Sequence, residues 1–195
     1  MITTNYLVIG SGIAGLTFSI KIAEKFPDRT VTIVTKADEE ESNTKYAQGG
    51  VAVVLDTETD SFKKHIQDTL IAGDGLCDEE VVKMVIEEGP KRLKELLLWG
   101  ANFDVDGSGD FDLGKEGGHS EYRVVHHKDI TGFEIERALL KRVHQLPNIS
   151  ILPHHFAIDL ITNHHIKDLK SEKLSCFGAY ILDQKTGNID RKSVV

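Results

Sequence analysis

Six residues, Gly10-Ser11-Gly12-Ile13-Ala14-Gly15, most constrain the fold of this chain because of what flanks them. Before them runs Tyr6-Leu7-Val8-Ile9, a short apolar stretch without alternation, as expected of a parallel strand covered on both faces. After them Ile13, Ala14, Leu16, Phe18, Ile20, Ile22 and Ala23 read as a largely buried helix that stops at Pro27-Asp28, and Val31-Thr32-Ile33-Val34-Thr35 reads as the next strand. This is a βαβ unit with G-x-G-x-x-G at its first turn, the context that motif requires. Gly10 makes the tight turn, Gly12 lets backbone approach a pyrophosphate at the helix N-terminus, and Gly15 allows close helix–strand packing. A dinucleotide is the implied ligand, with Gly10, Ser11, Gly12, Ile13, Ala14 and Gly15 as its cradle.

The second strand says which dinucleotide to doubt. An NAD pocket places an acidic residue about twenty residues on, at that strand's end. Here the strand ends Thr35-Lys36, and the first acids are Asp38 and Glu39. Lys36 either lies near an adenosine ribose or phosphate, or is a solvated lysine at a strand end.

With 195 residues, 40% of them hydrophobic, the chain can bury a real core. A net charge of -8 without a basic stripe excludes a nucleic-acid footprint. No run reaches membrane-spanning length, and the N-terminal stretch lacks the basic region of a signal peptide. Cys77 and Cys176 have no paired spacing, so no metal site is implied, and both read as small buried side chains in a reducing compartment. Together these point to a cytoplasmic enzyme with neither nucleic-acid nor membrane partners.

Further along, a strand is expected over residues 51–55. Ser61 precedes a helix with Phe62, Ile66 and Leu70 on one face, ending at Gly73-Asp74-Gly75. Asp78 reads as the N-cap of a helix with Val81, Val82, Val85 and Ile86 inward. Gly89-Pro90 should break it, Pro90 opening a new helix with Leu93, Leu96 and Leu97 inward. Thr131 can cap a helix through Val143, strands follow near 149–152 and 156–162, and a hairpin turns at Thr186-Gly187-Asn188.

A second motif narrows the ligand: Asn43-Thr44-Lys45-Tyr46-Ala47-Gln48-Gly49-Gly50. Taken with Gly10 to Leu16, Thr35-Lys36, Glu116-Gly117-Gly118-His119-Ser120, and His126 with Asp129-x-Thr131-Gly132, the whole chain resembles the succinate dehydrogenase/fumarate reductase flavoprotein family, and within it the aspartate oxidases. The resemblance implies an α/β fold: a Rossmann-like FAD-binding domain with a parallel βαβ core and an added β-meander. Residues 1–195 would be its N-terminal part, without the family's capping and C-terminal helical domains.

The resemblance also assigns roles. FAD is the implied cofactor, with Asn43, Thr44, Lys45, Tyr46, Ala47, Gln48, Gly49 and Gly50 along its isoalloxazine and pyrophosphate side. Gly49-Gly50 allow backbone amides near a planar ring, and Gln48 offers both donors and acceptors. A plain glycine turn explains the glycines but not Gln48. The respiratory members carry a flavin-linked histidine where this chain has Asn43, so the flavin here is expected to be noncovalent.

Glu116 is the candidate catalytic-site residue. Family substrates are C4 dicarboxylates, and only aspartate adds an ammonium, which a carboxylate would pair with and which succinate lacks. Otherwise Glu116 is a solvated acid in a glycine loop. His126-His127, His154-His155 and His164-His165 are adjacent pairs whose members point apart on a strand, so they read as structural or exposed. His119 is kept because it follows the glycines beside Glu116, although a structural histidine is the simpler reading. Phe156 and Ala157 match where the family passes the adenine, a role that ordinary strand pairing explains equally.

The implied reaction is oxidation of L-aspartate to iminoaspartate, with electrons passed to oxygen or fumarate and the product used by quinolinate synthase in the first steps of NAD biosynthesis. The family continues past Val195 with an Ala-Thr-Gly-Gly segment and the arginines and histidines that grip substrate, so these residues supply at most half an active site. Rival readings are a soluble fumarate reductase or succinate-oxidising flavoprotein, and a noncatalytic nucleotide-binding module.

Overall fold

In the computed structural model, residues 2–163 and 173–194 are described. They form two units, Met1–Asn43 with Leu139–Val195 and, between these in sequence, Thr44–Ala138.

The first unit is built on the expected βαβ element. Ile2–Thr4 forms β1, and the apolar run Tyr6–Ile9 forms β2. Past the glycines the chain enters α1 (Ile13–Lys25) and returns as β3 (Val31–Val34), all four of whose residues are buried. The pairs Tyr6↔Val31 through Ile9↔Val34 are parallel, and β3 pairs in parallel again with β7 (Ile149–Leu152). A strand with parallel neighbours on both sides has no solvent edge, hence its unbroken apolar character. The expectation that α1 is largely buried needs correction. Its inward stripe is Leu16, Ser19, Ile20 and Ala23, at the spacing of one helical face, while Ile13 and Phe18 are 42% and 47% exposed.

A second sheet in this unit has the order β1, β10 (Ile189–Val194), β9 (Cys176–Asp183), β8 (His155–Thr162). The last three strands are the predicted meander. Its hairpin closes through Asp183, whose amide donates to the Asn188 carbonyl. Ala157 of β8 packs against a core of Val34, Ala179 and Ile181, so the meander lies on the end of β3. Cys176 is exposed and Cys77 half-buried, contrary to the expected burial of both: Cys176 opens an exposed strand end, and Cys77 follows α2 with its thiol near the Thr69 carbonyl. His164 and His165 lie outside the described residues.

The second unit holds β4 (Val51–Ala52), α2 (Phe62–Ala72), α3 (Glu79–Leu98), β5 (Leu113–Gly114), β6 (Val124–Val125) and the first part of α4 (Thr131–His144). Ser61 and Asp78 cap α2 and α3 as their sequence positions predict, accepting from the amides of Lys64 and Val81. The expected strand over 51–55 pairs with β6 only at Val51 and Ala52, although Val53 and Val54 are buried beyond it. Pro90 does not break the chain: α3 continues through it to Leu98. Gly89 lacks the Cβ that would clash with the proline ring, and Ile86, Leu93 and Leu96 hold both halves of the helix to the core. Val81 and Val85 lie outward at 49% and 58% exposure, and Leu97 at 36%, because a single continuous helix has one inward stripe. On α2 the deepest side chain is His65, while Phe62, Ile66 and Leu70 are only half-buried. Thr131 is the first residue of α4, and its hydroxyl accepts from the His127 amide in the loop before the helix instead of from a first-turn amide, so it ties the loop to the helix start and is not the expected cap.

Candidate functional site

In the first unit the glycine loop lies at the carboxyl ends of β2 and β3, where ligands bind in open parallel sheets. The Gly10 amide donates to the Val34 carbonyl at 2.8 Å, and the Ser11 hydroxyl to Thr35 Oγ1 at 3.0 Å. Ser11 is therefore buried against the next strand and contributes backbone, not side chain, to the loop's open face. A Cβ on Gly15 would stand 2.1 Å from the Gly10 carbonyl oxygen, so only glycine lets the loop fold back over the helix.

Gly12 caps α1 in an extended conformation, with no side-chain cap bond and no acidic residue in the first turn, alongside Ile13 and Ala14. A helix start without its own capping side chain or first-turn carboxylate suits a pyrophosphate, and FAD carries one. Lys36 is exposed immediately after β3. Asp38, the first acid, is engaged by His154 at 3.1 Å. The His155 amide donates to the Thr35 carbonyl at 2.8 Å, which brings Phe156 and Ala157 beside that strand end, Phe156 being 45% exposed. Asn43, exposed, closes this stretch of the unit.

In the second unit the 44–50 segment is braced by α4. The Gly132 amide donates to the Ala47 carbonyl at 3.0 Å. Tyr46, Ala47, Gln48 and Gly49 remain exposed, while Thr44, Lys45 and Gly50 are half-buried. The Glu116 carboxylate lies beside this segment, its Oε1 3.6 Å from where a Cβ of Gly49 would be. The structure thus places residues 10–15, 36, 43, 156 and 157 in one unit and residues 44–50 and 116 in the other, and within the second it brings Glu116 and the Gln48-Gly49-Gly50 turn together.

Behind Glu116 is a cluster that sequence reasoning missed. Arg123, 1% exposed, makes a bidentate pair with Asp60 (Nε–Oδ2 2.7 Å, Nη2–Oδ1 2.8 Å) and a third bond from Nη1 to Asp68 Oδ2 at 2.6 Å. The Ser120 amide and hydroxyl each donate to that same Oδ2 at 2.8 Å. Burial raises the Asp68 pKa, but the Ser120 and Arg123 donors outweigh it and bring it down to about 2. Asp60 is lowered as well, with the Arg123 fork prevailing over burial. His65 is held below its usual value by burial first, then by the Arg123 and His119 charges. His119 sits in the same cluster, its Nδ1 3.2 Å from Arg123 Nη1 and its ring 5.5 Å from that of His65, which supports the structural reading. Asp60 and Asp68 are 63 and 55 residues from Arg123 in sequence, so no local spacing signals the cluster.

Contrary to the expectation that adjacent histidines point apart on a strand, His126 and His127 both face Asp104, at 3.1 and 3.7 Å, because they lie past the end of β6 where strand alternation does not apply; the Lys128 amide donates to the same carboxylate, which suits a structural role. Among the described residues no group of His, Cys, Asp and Glu is arranged to hold a metal, and no helix is long and apolar enough to cross a membrane.

The chain is 47% identical to the chloroplastic L-aspartate oxidase of Arabidopsis thaliana over 187 residues, covering 96% of this chain and 27% of that protein. It is 38% identical to the L-aspartate oxidase of Pseudomonas aeruginosa over 191 residues, 94% of this chain and 34% of that one. Among solved structures, a variant of E. coli quinol fumarate reductase FrdA superposes with a TM-score of 0.89 at 26% identity, covering 100% of this chain and 32% of its own. The chain spans about a third of the length of these proteins. The resemblance to fumarate reductase flavoproteins, and to aspartate oxidases within them, is what the comparisons return, and the fold is theirs. Residues 5–195 match a family described as an FAD binding domain, and with nearly every residue inside that match the chain belongs to the FAD binding domain family.

Proposed function

We propose that this chain is the FAD-binding part of an L-aspartate oxidase, which converts L-aspartate to iminoaspartate. The observation that carries the reading is the Glu116 carboxylate beside Gly49, at the head of Glu116-Gly117-Gly118-His119-Ser120. Relatives named L-aspartate oxidase, plant and bacterial, support it.

FAD, when bound, supplies the two-electron acceptor for the hydride that leaves the substrate α-carbon. The protein's share begins with the α1 N-terminus and residues 10–15, which hold the pyrophosphate by amide donors and helix dipole. Lys36, Phe156 and Ala157 would take the adenosine end, and Gln48 with Gly49 and Gly50 would offer amide groups to the ring edge. Glu116 accepts hydrogen bonds from the substrate ammonium and so orients the α-carbon. Asn43 has no nucleophilic nitrogen, which makes the flavin noncovalent. Oxygen or fumarate would serve as the final electron acceptor.

The carboxylate grip and the proton-transfer groups are taken to come from the two-thirds of the relatives that lies beyond the matched segment, so residues 1–195 alone should not turn over aspartate. An imine hydrolyses in water, which favours its prompt use by a quinolinate synthase. Both cysteines are free thiols, consistent with a reducing compartment such as the cytoplasm. The plant relatives are named as chloroplastic.

Glu116→Gln tests the reading in a full-length enzyme, residues 1–195 joined to the portion that relatives carry beyond them. Losing a charge-assisted hydrogen bond costs roughly 1.5–3 kcal/mol, so kcat/KM for aspartate should fall about tenfold to a hundredfold. Fumarate reduction should hold or improve. Equal losses on both substrates would mean that Glu116 supports the fold or the flavin, leaving a fumarate reductase or succinate-oxidising enzyme as the better reading.

A further inference from the structure

The segment that carries Glu116 closes on itself around two glycines. The His119 amide donates to the Glu116 carbonyl at 3.2 Å, and Lys115 Nζ reaches the Ser120 carbonyl at 2.9 Å, so residues 115–120 form a closed turn. Gly118 within it has a φ of +87°. A turn of this kind keeps its own shape, yet nothing inside it says where it points.

Its direction comes from the far end. Ser120 gives both its amide and its hydroxyl to Asp68 on α2, and Arg123 grips that same oxygen while its other edge is locked on Asp60 at the mouth of α2. Arg123 is 1% exposed, which rules out contact with a substrate. Replacing a buried arginine–carboxylate cluster with apolar residues of similar volume is often neutral or stabilising, so stability is a weak reason for its presence. What apolar residues cannot supply is a directional anchor with several donors converging on one oxygen.

We propose that Asp68 and Arg123 are positioning residues that pin the Glu116 turn to α2, so that the carboxylate at its head is held at Gly49 and favours an amino acid over a plain dicarboxylate. This rests on the reading of Glu116 given above. The anchor at Ser120 lies four residues from the carboxylate it aims, and the middle of the turn runs near the same helix, a Cβ on Gly118 falling 3.9 Å from that of Ala72.

The test is Asp68→Asn in the full-length enzyme, alone and with Glu116→Gln. The side-chain shape is kept, but the charge that gathers Arg123 and Ser120 is lost. We expect KM for aspartate to rise about tenfold, with kcat, fumarate reduction and bound FAD within about twofold. In the Glu116→Gln background the same change should add nothing further, because a mispointed carboxylate and an absent one are the same loss. Ser120→Ala, which removes only the hydroxyl donor, should move aspartate KM in the same direction by a smaller factor, and it serves if Asp68→Asn does not fold. Equal losses on aspartate and fumarate, or effects that simply add to Glu116→Gln, would overturn the positioning role. If Glu116→Gln is aspartate-selective and both Asp68→Asn and Ser120→Ala are silent, the positioning role fails while the Glu116 reading stands. If Glu116→Gln is not selective, both fall.

Discussion

Gly132 and Ala47, 85 positions apart in sequence, share a hydrogen bond of 3.0 Å from the Gly132 amide to the Ala47 carbonyl. A Cβ on Gly132 would stand 2.0 Å from the Thr44 carbonyl oxygen and 2.7 Å from that of Ala47. Both obstacles are backbone, which cannot swing aside as a side-chain tip does. Gly132→Ala must therefore push residues 44–47 off the start of α4 at an overpacking cost of about 1–3 kcal/mol. Since that segment faces the flavin in the proposed site, purified full-length Gly132→Ala should retain about a tenth or less of the FAD of the parent, read as flavin absorbance per mole of protein. Normal flavin content would show that the 44–47 segment does not hold the cofactor.

Acid should unlock the Arg123 cluster late. Asp68 is held at about 2 against an ordinary value of 3.8, and Asp60 is also depressed. A depressed carboxyl adds stability that is complete above its unfolded pKa and disappears as pH falls through the folded one. Around it stand Arg123, cationic throughout, His65 and His119, and the exposed Lys64–Glu121 pair. Urea midpoints of the wild type should thus hold down to about pH 4 with respect to Asp68 and drop between about pH 4 and 2, and in Asp68→Asn that drop should shrink. An unchanged acid limb in the variant would contradict the assigned ionisation.

Pro90 sits inside α3 without the amide that would bond to the Ile86 carbonyl. Interior proline is disfavoured by about 3 kcal/mol against alanine, and a helix already shaped around it recovers only part of this on replacement. Pro90→Ala should stabilise the protein by about 1–2 kcal/mol and raise its thermal midpoint. A lower midpoint would mean that the helix depends on the bend.

Flavin attachment is checked by denaturation. With Asn43 at the position of the linking histidine, acid precipitation should leave all flavin in the supernatant. Fluorescent flavin in the washed pellet would overturn the noncovalent reading.

Local grammar was legible in the sequence, and long-range chemistry was not. Tyr6 to Gly15 could be read as strand, loop and helix because each residue's role depends on its immediate neighbours, and Ser61 and Asp78 announce helix starts by the same short rule. Glu116 and residues 43–50 were legible through resemblance. Pro90 misled because its local cost is real but smaller than the burial of Leu93 and Leu96, which only the packed core reveals. Arg123 was invisible, looking like any charged residue before two valines, since its meaning lies in carboxylates brought from α2. His65 was missed for the same reason, as apolar periodicity gives no cue for a buried imidazole.

β1 and β10 have a consequence for how the chain is made. Among the described residues Ile2–Thr4 has a single neighbour in its sheet, and that neighbour is the strand from Ile189 to Val194, in parallel register. A ribosome adding about 5–20 residues per second releases the first strand roughly 10–40 s before the last one exists. For that interval the N-terminal edge waits unpaired, exposing backbone donors and acceptors that invite association with other nascent chains. The order of synthesis therefore makes this sheet close later than the glycine loop, whose strand, helix and returning strand are complete by Val34, and chaperone dependence should fall on it more than on that loop.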